Sequence, residues 1–158
     1  MIQGLHHNAY RCRNSEETRK FYEDFLELPL VDAFEIQETK TGRSVRVLHT
    51  FYKMLDESFL AFFEAPSQPF EFKRQHDFDL HIALKVDRSS LDRFLHKGRQ
   101  TEIETRGISN HGFIDSAYFR DPNGYVIELA APSEHVSFAK NSSKNARNAL
   151  NLWTSSLA

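Results

Sequence analysis

The stretch Tyr118–Pro132 reads YFRDPNGYVIELAAP, and Tyr52–Pro66 reads YKMLDESFLAFFEAP; the two superpose without a gap at an offset of 66. Asp121-Pro122-Asn123-Gly124 is a strong turn signal between two strand patterns, and Asp56-Glu57-Ser58 takes its place in the earlier copy. Upstream, Gly4–Arg13 (GLHHNAYRCR) superposes on Phe78–Asp87 (FDLHIALKVD) at an offset of 74, which sets His7 on His81, Ala9 on Ala83 and Arg11 on Lys85. A helical pattern follows each stretch. Asn14 or Ser15 opens the first, with Phe21, Phe25 and Leu28 on one face; Ser89 or Ser90 opens the second, with Leu91, Phe94 and Leu95. The chain therefore repeats a unit of strand, helix and about three strands.

The two offsets differ by 8 residues, assigned to extra chain within 31–48, where Lys40-Thr41-Gly42-Arg43 marks a turn. Neither copy is large enough to bury both faces of its sheet alone, so the two must share a core or a cavity. The expectation is a single α+β domain over 1–158: module one at 4–66, a connector with Pro69 and many charges, module two at 77–132, and a tail at 133–158. In the tail Ala146, Leu150, Trp153 and Leu157 fall at helical spacing and predict an amphipathic helix, packed on its own domain or on a second subunit.

Side chains alternate between the faces of a strand. Leu80, Ile82, Leu84 and Val86 suit the face beneath a helix, which leaves His81, Ala83 and Lys85 on the other face, and His7, Ala9 and Arg11 on the equivalent face of module one. His6 is out of phase with this set. In the last strand Glu128 is an acid in an apolar run, and a buried carboxylate needs a cation or hydrogen bonds. Two imidazoles and one carboxylate on rigid strands make a triad with open coordination positions, the type used by non-haem Fe(II) and O2 chemistry. His7, His81 and Glu128 are the predicted metal ligands.

Composition excludes other classes. Of 158 residues, 40% are hydrophobic and 27% charged, with a formal charge of -2 and no block of one sign, so neither nucleic acid nor an anionic membrane is an expected partner. The single cysteine cannot form an internal disulfide, MIQGLHHNAYRCR lacks a signal-peptide core, and no run is long enough for a bilayer span; a cytoplasmic location is expected. The excess of Phe, at 14 residues, suits core packing and also an aromatic pocket.

LHHNAYRC with SEETRKFYEDFLELPLV, DLHIALKV and AYFRDPNGYVIELAAP together resemble the vicinal oxygen chelate superfamily of glyoxalase I, fosfomycin and bleomycin resistance proteins, methylmalonyl-CoA epimerase and type I extradiol dioxygenases. The resemblance spans 4–132. It implies two βαβββ modules whose sheets curve around a metal-binding cup, with His7, His81 and Glu128 as ligands. A fourth ligand, usual in the glyoxalase type, would fall at Phe62 in the gapless alignment, and Glu64 could substitute only with a register slip. The extradiol branch implies Tyr118, ten residues before Glu128, as a hydrogen-bonding catalytic residue, and His111 as a proton carrier. Phe51, Phe62 and Phe119 are expected pocket walls.

The leading expectation is a metal-dependent oxygenase acting on a small catechol-like substrate, with Fe(II) favoured over Mn, Zn, Ni or Co, and with O2 and the substrate as partners. A glyoxalase- or epimerase-type lyase or isomerase, or a protein that sequesters a drug or metabolite, is the alternative. A homodimer is the expected assembly wherever the tail packs on a second subunit.

Overall fold

The computed structural model describes residues 1–74, 76–133 and 142–157. Module one runs β1 (Tyr10–Cys12), α1 (Ser15–Arg19) continuing as a π-helical turn over Lys20–Phe25, β2 (Leu30–Glu38), β3 (Ser44–Lys53) and β4 (Phe59–Glu64). Module two runs β5 (His81–Lys85), α2 (Arg88–Arg99), β6 (Thr105–Asn110), β7 (Ile114–Arg120) and β8 (Val126–Pro132); α3 (Ser142–Ser156) follows. They form two four-stranded mixed sheets of identical topology, β1-β4-β3-β2 and β5-β8-β7-β6. The expected α+β fold of two βαβββ modules is what the chain adopts.

Local chemistry sets the element ends. The Asn14 side chain accepts from the Glu17 amide and opens α1. In α2 the cap is Asp87, whose carboxylate accepts from the Ser90 amide at 2.7 Å, so that helix begins ahead of the serines expected to open it. After Arg19 the helix widens to a π turn, with the Leu26 amide donating to the Phe21 carbonyl at 3.0 Å. The wider turn lets three bulky rings, Phe21, Tyr22 and Phe25, be buried within a few residues.

The register between the modules corrects the gapless alignment by one residue. The His7–Phe59 bridge and the His81–Val126 pair are equivalent, which sets β4 on β8 at an offset of 67. The pairs His49–Phe63 and Phe51–Ala61 then match Ser116–Ala130 and Tyr118–Glu128. The turns agree: Glu57, with φ of 68°, falls on Gly124, with φ of 95°. The extra chain in module one is accordingly 7 residues, and it lengthens the arms of β2 and β3.

Both sheets turn their helix-bearing faces to one shared core. Phe62 of β4 packs at 4.6 Å on Tyr22, Phe25 meets Phe119 of β7 at 5.3 Å, and Tyr10 meets Tyr125 at 5.1 Å. The β7–β8 turn locks the modules together. The Tyr22 hydroxyl donates to the Asp121 carboxylate at 3.0 Å, and the Asn123 side chain accepts from the Arg13 amide at 2.8 Å and donates to Thr18 at 3.2 Å. Gly124 is required there, because a Cβ would lie 2.3 Å from the Lys73 carbonyl oxygen.

The predicted tail helix is present, but Trp153 is 65% exposed and Leu150 and Leu157 are exposed with it. The described residues therefore offer this helix no packing surface within its own chain; the tail residues 134–141 lie outside those described. Among the described residues no helix is long and apolar enough to cross a membrane.

Asp121→Ala should destabilise the fold by about 2–3 kcal/mol in urea, because it removes the acceptor of the Tyr22 hydroxyl, the Asn123 side-chain amide and the Asn123 and Tyr125 backbone amides. Burial, the largest influence, raises the Asp121 carboxyl above its ordinary value of 3.8. A raised folded-state pKa contributes stability that is present below the ordinary value and lost as pH climbs through the raised one. Asp121→Asn should flatten that fall in stability over the same window; an unchanged pH profile would show that the carboxyl does not carry it.

Candidate metal centre

Each sheet keeps its other face turned away from the shared core, and these outward faces carry the polar chemistry. On sheet two, Glu128 of β8 lies beside Tyr118 of β7, and Ser116, two residues earlier, shares that face. Glu128 is only 5% exposed. The Ser116 hydroxyl donates to its Oε1, and His81 Nε2 stands 3.1 Å from its Oε2. Among the described residues His81 is the only ion-pair partner of this carboxylate. His81 Nδ1 donates to the Asp77 carbonyl at 2.6 Å, which holds the ring with Nε2 facing Glu128.

A metal-bound imidazole has the same pattern, with the remote nitrogen anchored to a backbone carbonyl and the near one free to coordinate. An imidazole nitrogen and a buried carboxylate oxygen converging, with no Lys or Arg paired to that carboxylate among the described residues, fit a divalent cation. Outside this pair, Asp77 accepts from Arg106 at 2.8 and 2.7 Å, and the Arg106 guanidinium lies 5.2 Å from the Tyr118 ring centroid. The Tyr118 hydroxyl is 2.8 Å from His111 Nε2. Burial first, and then the Glu128 charge, raise the Tyr118 phenol above its ordinary value, so it stays protonated at neutral pH.

His7 occupies the outward face of sheet one, with its ring 5.8 Å from Phe51 and its Nδ1 2.7 Å from that of His6. Among the described residues no group of three or more His, Cys, Asp or Glu could hold a metal ion. One chain thus gathers two of the three expected ligands and leaves His7 apart. The cause is the shared core: with both helix-bearing faces buried in it, the faces bearing His7 and His81 cannot meet within one chain.

Three other expected residues lie off these outward faces: Phe62 and Glu64 through the one-residue register shift, and Phe119 because it alternates with Tyr118 along β7. Phe62 and Phe119 point into the core and wall no pocket on the outward faces. Glu64 lies on the helix-bearing side and accepts from the Ser15 amide at 2.6 Å, capping α1 instead of serving as a fourth ligand. The residue equivalent to Glu128 is Ala61, which has no donor. Phe51 does face outward. Sequence reasoning missed Ser116, Asp77, Arg106 and His49. Ser116 and His49 share the parity of Tyr118 and Phe51, and that signal was available; Asp77 and Arg106 come together only through the fold.

The family profile described as Glyoxalase/Bleomycin resistance protein/Dioxygenase superfamily matches residues 4–129. The metallothiol transferase FosB of Shouchella clausii (strain KSM-K16) is 27% identical over 140 residues, 82% of this chain and 80% of that protein. A fosfomycin resistance protein FosX variant from Listeria monocytogenes, solved with Mn(II) and 1S,2S-dihydroxypropylphosphonic acid, superposes with a TM-score of 0.61 at 18% identity, covering 85% of this chain and 96% of that one. TnmS3, an antibiotic binding protein from Streptomyces sp. CB03234, does so with a TM-score of 0.60 at 20% identity, covering 84% and 98%. The chain belongs to the Glyoxalase/Bleomycin resistance protein/Dioxygenase superfamily.

Burying Glu128 costs stability unless a cation is bound. In EDTA, Glu128→Gln should match or exceed the wild type in urea stability, by up to about 1 kcal/mol. With Mn(II) the order should reverse, because only the wild type gains binding energy. A variant less stable than the wild type in EDTA would assign Glu128 a structural role instead.

Proposed function

Starting from that membership, we propose that the chain is a divalent-metal-dependent enzyme of the fosfomycin-resistance kind, which promotes attack of a thiol or water on a small oxygen-bearing electrophile. The observation that carries this reading is the pairing of buried Glu128 with exposed His81, anchored at Ser116 and the Asp77 carbonyl. A thiol transferase stands among its relatives, and a fold neighbour holds Mn(II) with a dihydroxy phosphonic acid. These favour transfer or addition over the dioxygenase expected from the sequence.

His81 and Glu128 would hold the cation, and His7 of a second copy would complete the set, since the outward faces of one chain cannot close on each other. When bound, the cation supplies Lewis acidity to a substrate oxygen. The remaining work belongs to side chains of this chain. As the nucleophile bonds to carbon and the carbon–oxygen bond breaks, the oxygen gains negative charge; the Tyr118 hydroxyl is placed to donate to it. His111, 2.8 Å away, resupplies that proton and can accept the one lost by the nucleophile. Arg106 braces the Tyr118 ring and, through Asp77, the loop that anchors His81.

The second reading is extradiol-type dioxygenation of a catechol-like substrate with Fe(II) and O2. The His111–Tyr118 pair beside Glu128 favours it, because that chemistry also needs a proton carrier at the oxygen-binding end.

Protein stripped with EDTA and reloaded singly with Mn, Zn, Ni, Co or Fe should add L-cysteine or water to fosfomycin only when loaded. Tyr118→Phe should lower kcat by about 100-fold or more while leaving metal content unchanged. Turnover that survives EDTA would contradict the proposal, and catechol-dependent O2 uptake by the iron form alone would favour the second reading.

A further inference from the structure

Two apolar surfaces of this chain lack a cover, and their shapes and charges are complementary. The first is one face of α3. Ala146, Leu150, Trp153 and Leu157 recur at i, i+4, i+7 and i+11, and Leu150, Trp153 and Leu157 are 53%, 65% and 70% exposed. A helix of 15 residues is marginal in water unless such a face is buried.

The second is a cleft of about 780 Å³ between the modules. Its walls include Leu28 and Met54 of module one and Ile82, Leu84 and Val86 of module two, each only partly buried against the shared core. Leu55, in the turn between β3 and β4, borders the same cleft and is fully exposed. The strand β5, which supplies one wall, is the edge of its sheet. An open apolar surface of this kind marks a contact site.

Charge agrees with the apolar fit. Residues 142–157 contain Lys144 and Arg147 and no acid, in a chain of formal charge -2. Arg147 follows Ala146, so it lies about 100° round the helix from the apolar face, on its flank. Asp56 lines the cleft, is exposed, and among the described residues accepts only from Ser58. An arginine on the flank of a seated helix would find its acid there.

Helix and cleft belong to one chain, yet the helix leaves its own cleft open. Two copies related by a twofold axis satisfy both surfaces at once, each giving a helix and each receiving one. We propose that α3 of one copy seats in the inter-module cleft of a second copy, with Trp153 as its buried anchor, Leu55 in contact with it and Arg147 paired to Asp56. His81 also lines the cleft, so the exchange brings two copies together beside the half-site on sheet two, but it does not depend on a bound metal.

Trp153 is the one tryptophan of the chain, so the emission of the full-length protein reports on this helix alone. In EDTA, the emission should be blue-shifted and shielded from acrylamide where the protein sediments as a dimer, and should become exposed in step with dissociation on dilution. Leu55→Asp and Leu150→Ser alter side chains that the single chain leaves in water; each should weaken dimerisation about 10-fold or more while leaving the circular dichroism of the monomer unchanged. Arg147→Glu should weaken it several-fold, and adding Asp56→Lys should restore it by exchanging the charges of the pair. Shielding of Trp153 that is independent of concentration would seat the helix in its own cleft. A dimer with Trp153 open to acrylamide, a dimer indifferent to Leu55→Asp, or a monomer at every concentration would remove the cleft as its seat. Shielding only on addition of phosphatidylglycerol vesicles would assign the face to lipid. Each of these results would overturn the proposal.

Discussion

Each four-stranded sheet has one face that carries its helix and must be kept from water, and the two modules satisfy both needs with a single core. Everything else follows from that sharing. It sets Tyr22, Phe25 and Phe62 against Phe119 and the β7–β8 turn, and it turns the remaining faces outward. His7 and the His81–Glu128 pair accordingly lie on different outward faces. Sheet two holds an imidazole and a carboxylate; sheet one holds an imidazole backed by rings.

The two halves divide the labour. Buried Glu128 accepts from a serine hydroxyl and faces an imidazole, with a phenol beside it on the next strand. The opposite half has Ala61 where the carboxylate would be, and its surface carries the rings of Phe34, His49, Phe51 and Phe63. The two modules share one backbone plan and differ in the side chains on their outward faces. Symmetric assembly of two copies would set unlike halves against each other twice.

Much of this was legible from residues. The turn DPNG, the pattern LHIALKV and the acid in YVIELAAP identified the modules, their face assignment and the two residues, His81 and Glu128, that the fold brings together. What was not legible was the direction in which the modules pack, because alternation along a strand tells which residues share a face and not what that face meets. The one-residue slip had a local cause as well: aligning Tyr52 on Tyr118 matches two aromatics but ignores that Glu57 and Gly124 share a left-handed backbone. That slip placed Phe62 and Glu64 on the wrong side. His49 was passed over because a lone histidine among apolar residues reads as core, and only the β2–β3–β4 register reveals its row of rings.

Mixing variants that are each defective in a different half tests the two-copy site most directly. His7→Ala and His81→Ala proteins, purified separately, should each fail to bind Mn(II) tightly. Unfolded together and refolded, half the dimers are mixed and each contains one intact site, so about one quarter of wild-type Mn(II) capacity should return. A mixture that binds no more metal than its parents would contradict a site built between copies.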